Sequence, residues 1–118
     1  MKISVVIPTF NRPHTISKAV DKIIANTVQP DEIVIVDQTP DNSTFEALLT
    51  LIEAGKVIYI KEAFPSLSKA RNIGWRKAIG DVIAFTDDDA MVDLRWIENI
   101  KKSFERKDLN IGILGGKV

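Results

Sequence analysis

The 118-residue sequence predicts an α/β fold with three layers, α-β-α, built around a mostly parallel β-sheet. Short apolar runs rich in valine and isoleucine alternate along the chain with longer segments in which apolar residues recur at helical spacing. A short apolar run bounded by turn-forming residues is typical of a strand buried on both faces. Strands that alternate with helices predict parallel neighbours joined by helical crossovers. The length corresponds to one domain, residues 1–118.

Five apolar runs are predicted to form the strands of this sheet. They cover residues 3–7, 33–36, 57–60, 82–85 and 111–114. We expect Pro8 to end the first strand, because proline cannot donate a hydrogen bond to a central ladder. The second and fourth strands run directly into acidic residues, at Asp37 and Asp87 respectively.

Four segments between the strands have the apolar spacing of amphipathic helices. Gly55 is expected to end the second helix, and Ser68 to cap a third helix that extends through Ala78. Gly74 lies inside this third helix, where glycine costs about 1 kcal/mol relative to alanine. We therefore expect another backbone or a ligand to approach closely at Gly74. The fourth helix is predicted from an apolar stripe, namely Trp96, Ile97, Ile100 and Phe104.

Composition argues against several kinds of site. Sixteen basic and sixteen acidic residues cancel, so the net charge does not indicate a nucleic-acid partner. The absence of cysteine excludes disulfides and thiolate metal sites, and one histidine supports neither a histidine zinc site nor a serine–histidine triad. No segment has the apolar length of a signal peptide or of a membrane span. We expect a cytoplasmic location, in solution or at the inner face of the membrane.

Three consecutive carboxylates, Asp87, Asp88 and Asp89, follow the fourth strand. In an open α/β sheet, ligands bind at the edge where the strands end. A hard divalent cation such as Mn²⁺ or Mg²⁺ would relieve the repulsion among adjacent acids. Asp87 and Asp89, spaced as D-x-D, could both face such a ligand while Asp88 points away, although Asp88 could take either role. A solvated acidic turn that caps the next helix is the alternative.

The same edge of the sheet is expected to collect the ends of three strands. Pro8, Thr9 and Phe10 follow the first strand, Asp37 follows the second, and the acids at 87–89 follow the fourth. The sequence contains neither a G-x-G-x-x-G turn nor a phosphate loop, so the phosphates of a bound nucleotide are not expected in a glycine cradle. Asp37 could accept hydrogen bonds from a base N–H or a ribose hydroxyl.

Three blocks of sequence resemble the N-terminal half of family 2 glycosyltransferases, which have the Rossmann-like GT-A fold. The blocks are VVIPTFNR at 5–12, EIVIVD at 32–37, and SKARNIG at 68–74 leading to the DXD motif at 87–89. They follow the family's order and spacing along essentially the whole chain. The resemblance implies metal-dependent transfer of a sugar from a nucleotide diphosphate sugar, usually with inversion. Among such donors we expect a UDP-sugar. Such reactions build polysaccharides and other glycans.

The resemblance also implies roles for individual residues. The backbone of Pro8 and Thr9, together with Asp37, would hold the base. Arg71 would lie near the nucleotide, although it could equally be a surface residue of the third helix. Asp87 would lie near the ribose, and the metal, Mn²⁺ or Mg²⁺, would be held by Asp89 or Asp88.

Two departures from the family pattern limit these expectations. Family members often read VDDGS after the second strand, whereas this chain reads VDQTP at 36–40, which leaves base selectivity open. No acidic residue follows Asp108, so we expect the acceptor half, and the carboxylate that would deprotonate the acceptor, to be missing. The acceptor, glycan or lipid-linked, and the activity of this chain alone therefore stay open. Apolar surface that a missing half would cover makes self-association an expectation.

Two other functions are compatible with the pattern. The first is a non-catalytic nucleotide- or metal-binding module with the same pocket but no turnover. The second is a phosphotransfer domain of the receiver or haloacid-phosphatase type, which also uses aspartates at strand ends. Those folds require acids after the first strand, where this chain has Pro8, Thr9 and Phe10.

Overall fold

The strands and helices of the computed structural model follow the predicted order, and the structure describes residues 1–63, 65–105 and the strand at 113–115. The elements are β1 (Ile3–Thr9), α1 (Pro13–Ile24), β2 (Glu32–Asp37), α2 (Ser43–Glu53), β3 (Ile58–Lys61), α3 (Leu67–Lys77), β4 (Val82–Phe85), α4 (Trp96–Phe104) and β5 (Ile113–Gly115). Residues 111 and 112 of the predicted fifth strand lie outside the described residues. None of the helices in the described part of the chain is long and apolar enough to cross a membrane.

The sheet has the order β3-β2-β1-β4-β5, and all neighbouring strands are parallel. The chain proceeds from β1 outward through β2 and β3, then returns to the other side of β1 to form β4. The connections that leave β1 and β4 therefore diverge, and such a divergence opens a crevice beyond the strand ends. The register places Thr9 opposite Asp37, and Val6 opposite Phe85.

The prediction that Pro8 ends the first strand is wrong, since β1 continues to Thr9. The Val6 carbonyl accepts from the Thr86 N–H on the β4 side, so the backbone of Pro8, two residues later, faces the same side. β4 ends at Phe85, which pairs with Val6, so no strand lies beside Pro8 on that side. The sheet therefore loses no hydrogen bond through the missing N–H of Pro8. On the other side, the Thr9 carbonyl accepts from the Gln38 N–H at 2.9 Å.

Helices cover both faces of the sheet and form two apolar clusters. The larger cluster joins α1, α2 and α4 to one face, with Ile16, Leu48 and Ile97 fully buried in it. The smaller cluster joins α3 to the other face through Ala70, which packs among Val6, Val34, Val36 and Ile83. These two clusters confirm the three-layer arrangement.

Gly74 allows the close approach of α3 to the sheet. A Cβ at this position would overlap Val6 Cγ1 and would lie 3.3 Å from Val36 Cγ2. The close neighbours are thus strand side chains, not the backbone or ligand that the sequence suggested. Ala70 and Gly74 lie one helical turn apart, and the single methyl group of Ala70 and the lack of a side chain at Gly74 set the distance between α3 and the strands β1 and β2.

The ends of α2 and α3 show why each helix stops or starts where it does. Gly55, with φ of 72°, follows α2, and the N–H groups of Gly55 and Lys56 donate to the carbonyls of Ile52 and Leu51. This is a Schellman motif, as expected for glycine after a helix. The expected cap Ser68 is wrong, because Ser66 is the N-cap of α3 and its Oγ accepts from the Lys69 N–H. Ser68 lies inside the first turn.

Candidate functional site

A cleft of about 470 Å³ lies at the edge of the sheet where the connections from β1 and β4 diverge. Among the predicted site residues, Pro8, Thr9 and the three acids at 87–89 line this cleft. Asp37 and Arg71 are at the same edge but are not among the residues that line it. The cleft is also lined by residues that sequence analysis did not assign to the site, namely Phe10, Arg12, Gln38, Pro65, Ser66 and Leu67.

Asp88 connects the end of β4 to the end of β1. Its carboxylate is only 12% exposed, and Oδ2 accepts a 2.9 Å hydrogen bond from the Thr9 hydroxyl. Arg12 Nη1 lies 3.3 Å from Oδ1 of the same carboxylate. Burial raises the pKa of Asp88, while the Thr9 hydrogen bond and the Arg12 charge act in the opposite direction. Asp88 is thus turned toward the protein and holds two strand ends together.

The two flanking acids have the opposite environment. The side chains of Asp87 and Asp89 are 62% and 60% exposed and face the cleft. Asp89 Oδ2 lies 3.2 Å from Arg12 Nη1, and Asp87 Oδ1 lies 3.9 Å from Arg71 Nη2. The geometry therefore favours the D-x-D alternative, in which the first and third acids are accessible and the middle acid is not.

Asp37 is completely buried, and both of its carboxylate oxygens have partners. Oδ1 accepts from the Thr39 N–H at 2.9 Å, and Oδ2 accepts from the Tyr59 hydroxyl at 2.5 Å. Lys61 Nζ lies 3.7 Å from Oδ2 and balances the buried charge. Burial and the hydrogen bond to Asp37 raise the pKa of the Tyr59 hydroxyl. In this structure Asp37 organises the loop after β2, and its contact with a base stays a prediction.

The loops after β1 and β2 are joined through one buried hydroxyl. Asn11 has φ of 54°, a left-handed conformation that asparagine tolerates better than most residues. Its N–H donates to Thr39 Oγ1 at 2.8 Å, and Thr39 Oγ1 lies 3.1 Å from Thr44 Oγ1. This connection fixes the chain on both sides of Asn11, where Phe10 and Arg12 line the cleft.

The start of α3 forms one wall of the cleft. The Gln38 side chain donates from Nε2 to the Ser66 carbonyl at 3.0 Å, which connects the loop after β2 to the cap of α3. Leu67 and Phe10 are exposed apolar side chains in the lining. No local sequence signal identifies this wall, because it depends on the contact between two distant loops.

The described residues do not form a complete metal site by themselves. Among them, no group of three or more His, Cys, Asp or Glu side chains is arranged to hold a metal ion. Asp87 and Asp89 nevertheless present exposed hard oxygen atoms at one side of the cleft. Mg²⁺ typically binds one or two protein carboxylates and completes its shell with phosphates and water. The residues thus fit a cation site that a diphosphate would complete.

Proteins of related sequence are glycosyltransferases. The chain is 31% identical over 116 residues to an uncharacterised glycosyltransferase of Nostoc sp., covering 97% of this chain and 36% of that protein. It is 31% identical over 124 residues to the glucosyl-dolichyl phosphate glucuronosyltransferase of Haloferax volcanii, covering 100% of this chain and 38% of that protein. The chain therefore spans little more than a third of the length of these relatives.

Solved structures of glycosyltransferases share the fold at lower identity. A mannosyltransferase from Pyrobaculum calidifontis, in complex with GDP-Man and Mn²⁺, superimposes with a TM-score of 0.81 at 23% identity over 92% of this chain and 33% of that one. TarS from S. aureus in complex with UDP gives 0.78 at 21% identity over 89% of this chain and 32% of that one. The fold is therefore the expected GT-A fold. The model of the family described as "Glycosyl transferase family 2" matches residues 4–116, and this chain belongs to that family.

Proposed function

We propose that this chain binds a nucleotide diphosphate sugar, most simply a UDP-sugar, together with a divalent cation, and that it serves sugar transfer to an acceptor. The observation that carries the proposal is the cleft at the divergence of β1 and β4, where Asp87 and Asp89 are exposed and Arg12 lies 3.2 Å from Asp89. The cleft brings together the aromatic ring of Phe10, the accessible carboxylates of Asp87 and Asp89, and the guanidinium of Arg12. These groups suit the base, the metal ion and the phosphates of a nucleotide diphosphate, respectively.

The complexes of related proteins support this substrate class. TarS has been crystallised with UDP and with UDP-GlcNAc, and the Pyrobaculum mannosyltransferase with GDP-Man and Mn²⁺. The two proteins hold different bases on the same fold. The fold alone therefore does not select the base.

Within the cleft we assign different roles to the three acids. Asp89 is the proposed cation ligand, and Asp87 is proposed to contact the ribose, because both carboxylates are accessible. Asp88 is a positioning residue that holds Thr9 and Arg12. When bound, the cation, Mn²⁺ or Mg²⁺, would neutralise charge on the departing nucleoside diphosphate.

The base and ribose are proposed to lie between the C-terminal end of β1 and the start of α3. Phe10 offers an exposed ring to the cleft, and Leu67 contributes an exposed apolar side chain to its lining. The Thr9 hydroxyl donates to Asp88, and the contacts proposed for Pro8 and Thr9 with the nucleotide are those of their backbone. Arg71, 3.9 Å from Asp87, is proposed to approach the nucleotide from α3.

We further propose that transfer proceeds with inversion. A general base and an acceptor site are not assigned to any described residue. Self-association likewise stays a prediction, and gel filtration with light scattering measures it directly.

Thermal unfolding with added nucleotides tests the donor site. UDP, GDP, dTDP and ADP are each added with and without Mn²⁺. A ligand present at 100 times its Kd stabilises the folded state by about 2.7 kcal/mol, which corresponds to roughly 10 °C for a domain of this size. A shift that requires both Mn²⁺ and one nucleotide supports the proposal and identifies the base. The absence of any shift, with all four nucleotides at millimolar concentration, contradicts it.

Binding alone does not establish transfer. Incubation with the corresponding nucleotide sugar, followed by assay of released nucleoside diphosphate, distinguishes turnover from binding without turnover. Release that depends on an added acceptor supports a transferase. Binding without any release favours a non-catalytic module.

A further inference from the structure

Arg12 holds two of the three acids of the cleft. Its Nη1 atom lies 3.3 Å from Asp88 Oδ1 and 3.2 Å from Asp89 Oδ2. Among the described residues that line the cleft, Arg12 alone is positively charged, and the same lining contains three carboxylates. Its side chain is 51% exposed and is attached to the loop between β1 and α1, so it can turn within the cleft without unfolding an element.

We infer that Arg12 exchanges partners when substrate binds: it neutralises Asp89 when no cation is bound there and moves to the diphosphate when a divalent cation takes its place. The inference rests on the proposed function, because it requires Asp89 to be a cation ligand. A cation and a guanidinium that share one carboxylate repel each other, and a divalent ion repels the guanidinium twice as strongly as a monovalent one would. A diphosphate brings new anionic oxygens, which a guanidinium binds well in forked geometry.

This exchange makes Arg12 act in opposite directions on the two ligands. Without nucleotide, the guanidinium competes with the cation for Asp89 and lowers the affinity for metal. With nucleotide present, the guanidinium gains the phosphate oxygens and raises the affinity for the metal–nucleotide pair. Arg12 thereby couples the two binding events, and such coupling is reciprocal.

A merely structural Arg12 predicts something different. If its only role were to hold the loop after β1 against the end of β4, its removal would loosen the cleft. Both ligands would then bind more weakly. The sign of the change in metal affinity without nucleotide therefore separates the two roles.

The test compares the full 118-residue wild-type chain with Arg12→Gln and with Arg12→Met, which keeps most of the aliphatic stem. Arg76→Gln is the control, because it removes the same charge from the exposed end of α3, outside the cleft. Free Mn²⁺ is measured by electron paramagnetic resonance during titration, with and without UDP. Binding of UDP at saturating Mn²⁺ is measured by calorimetry.

For both Arg12 variants we expect the Kd for Mn²⁺ without UDP to fall about twofold to fivefold, the range for loss of an exposed ion pair. The Kd for UDP at saturating Mn²⁺ should rise on the order of tenfold, as for loss of a hydrogen bond to a charged group. Arg76→Gln should change neither value by as much as twofold.

Three results would overturn the inference. In the first, wild type binds Mn²⁺ and UDP, but both Arg12 variants bind Mn²⁺ without UDP as tightly as wild type or less tightly; this leaves the proposed function intact. In the second, Arg76→Gln reproduces the Arg12 effect, which would assign it to net charge alone. In the third, neither wild type nor any variant binds Mn²⁺ or UDP when both are present, which overturns the proposed function as well.

Discussion

The hydrogen bond between Thr9 and Asp88 is expected to be a major contact of the cleft, and Thr9→Val tests it. Both residues are buried, and the Thr9 hydroxyl lies 2.9 Å from Asp88 Oδ2. Valine has the shape of threonine, so the substitution removes the donor without opening a cavity. A hydrogen bond to a charged group contributes about 1.5–3 kcal/mol, and we expect a loss of about 2 kcal/mol in the free energy of unfolding at pH 7.

The loss should depend on pH in a defined direction. Burial raises the pKa of Asp88, so its ionised form destabilises the folded state at neutral pH, and this effect is relieved as the pH falls through the folded-state pKa. The Thr9 hydrogen bond favours the ionised form, and its removal raises the pKa of Asp88 further. The difference in stability between Thr9→Val and wild type should therefore be largest at neutral pH and should shrink as Asp88 becomes protonated.

Urea unfolding followed by circular dichroism, between pH 7 and pH 4, measures both effects. Thr9→Ser is the matched control, because it keeps the hydroxyl and loses only a methyl group. We expect Thr9→Ser to retain most of the stability that Thr9→Val loses. If the free energy of unfolding of Thr9→Val at pH 7 were within about 0.5 kcal/mol of the wild-type value, the reasoning would be refuted. The hydrogen bond from Thr9 to Asp88 would then contribute little to stability. An undiminished difference at acid pH would refute the assignment to ionised Asp88.

Three other substitutions test separate features. Asp89→Ala should abolish Mn²⁺-dependent nucleotide binding, measured by calorimetry, while the melting temperature stays within a few degrees of wild type, because exposed ion pairs contribute about 0–1 kcal/mol; Asp21→Ala, on the exposed side of α1, should bind normally. Tyr59→Phe leaves the buried Asp37 without its hydroxyl donor and should lower the free energy of urea unfolding by about 1.5–3 kcal/mol, whereas a loss below about 0.5 kcal/mol would contradict that role. Gly74→Ala gains about 1 kcal/mol of helix propensity but forces a methyl group into β1, so it should destabilise the fold by about 1–3 kcal/mol in the same assay, and a stabilised variant would show that α3 can shift.

The fold was predictable because its evidence is local. Alternation of buried strands with amphipathic helices is visible in short windows of sequence, and the parallel sheet follows from it. The edge of the sheet that carries the cleft was predictable for the same reason, since the polar residues of three strands follow directly on their apolar runs. Thr9 and the acids at 87–89 accordingly meet at one cleft.

The details that failed depend on contacts distant in sequence. Pro8 is accommodated in β1 because the neighbouring strand β4 ends before it reaches the level of Pro8. The residues next to Pro8 in the sequence do not reveal this. Arg12 reaches Asp88 across 76 residues, so its place in the cleft follows from tertiary packing alone. Ser66 and Ser68 are both acceptable caps in sequence terms. The choice of Ser66 follows from its extended backbone at the entry to α3.

The acids at this edge of the sheet are all aspartates, and they differ in how deeply they are buried. Asp37 and Asp88 lie inside the protein and accept hydrogen bonds from Tyr59 and Thr9, so each fixes the strand end or loop beside it. Asp87 and Asp89, on either side of Asp88, remain exposed to the cleft. Alternation along the segment after β4 produces this division, because a buried middle acid turns its two neighbours outward. A single substitution at Asp88 should therefore disturb the accessible pair as well, whereas substitutions at Asp87 or Asp89 should leave the strand ends in place.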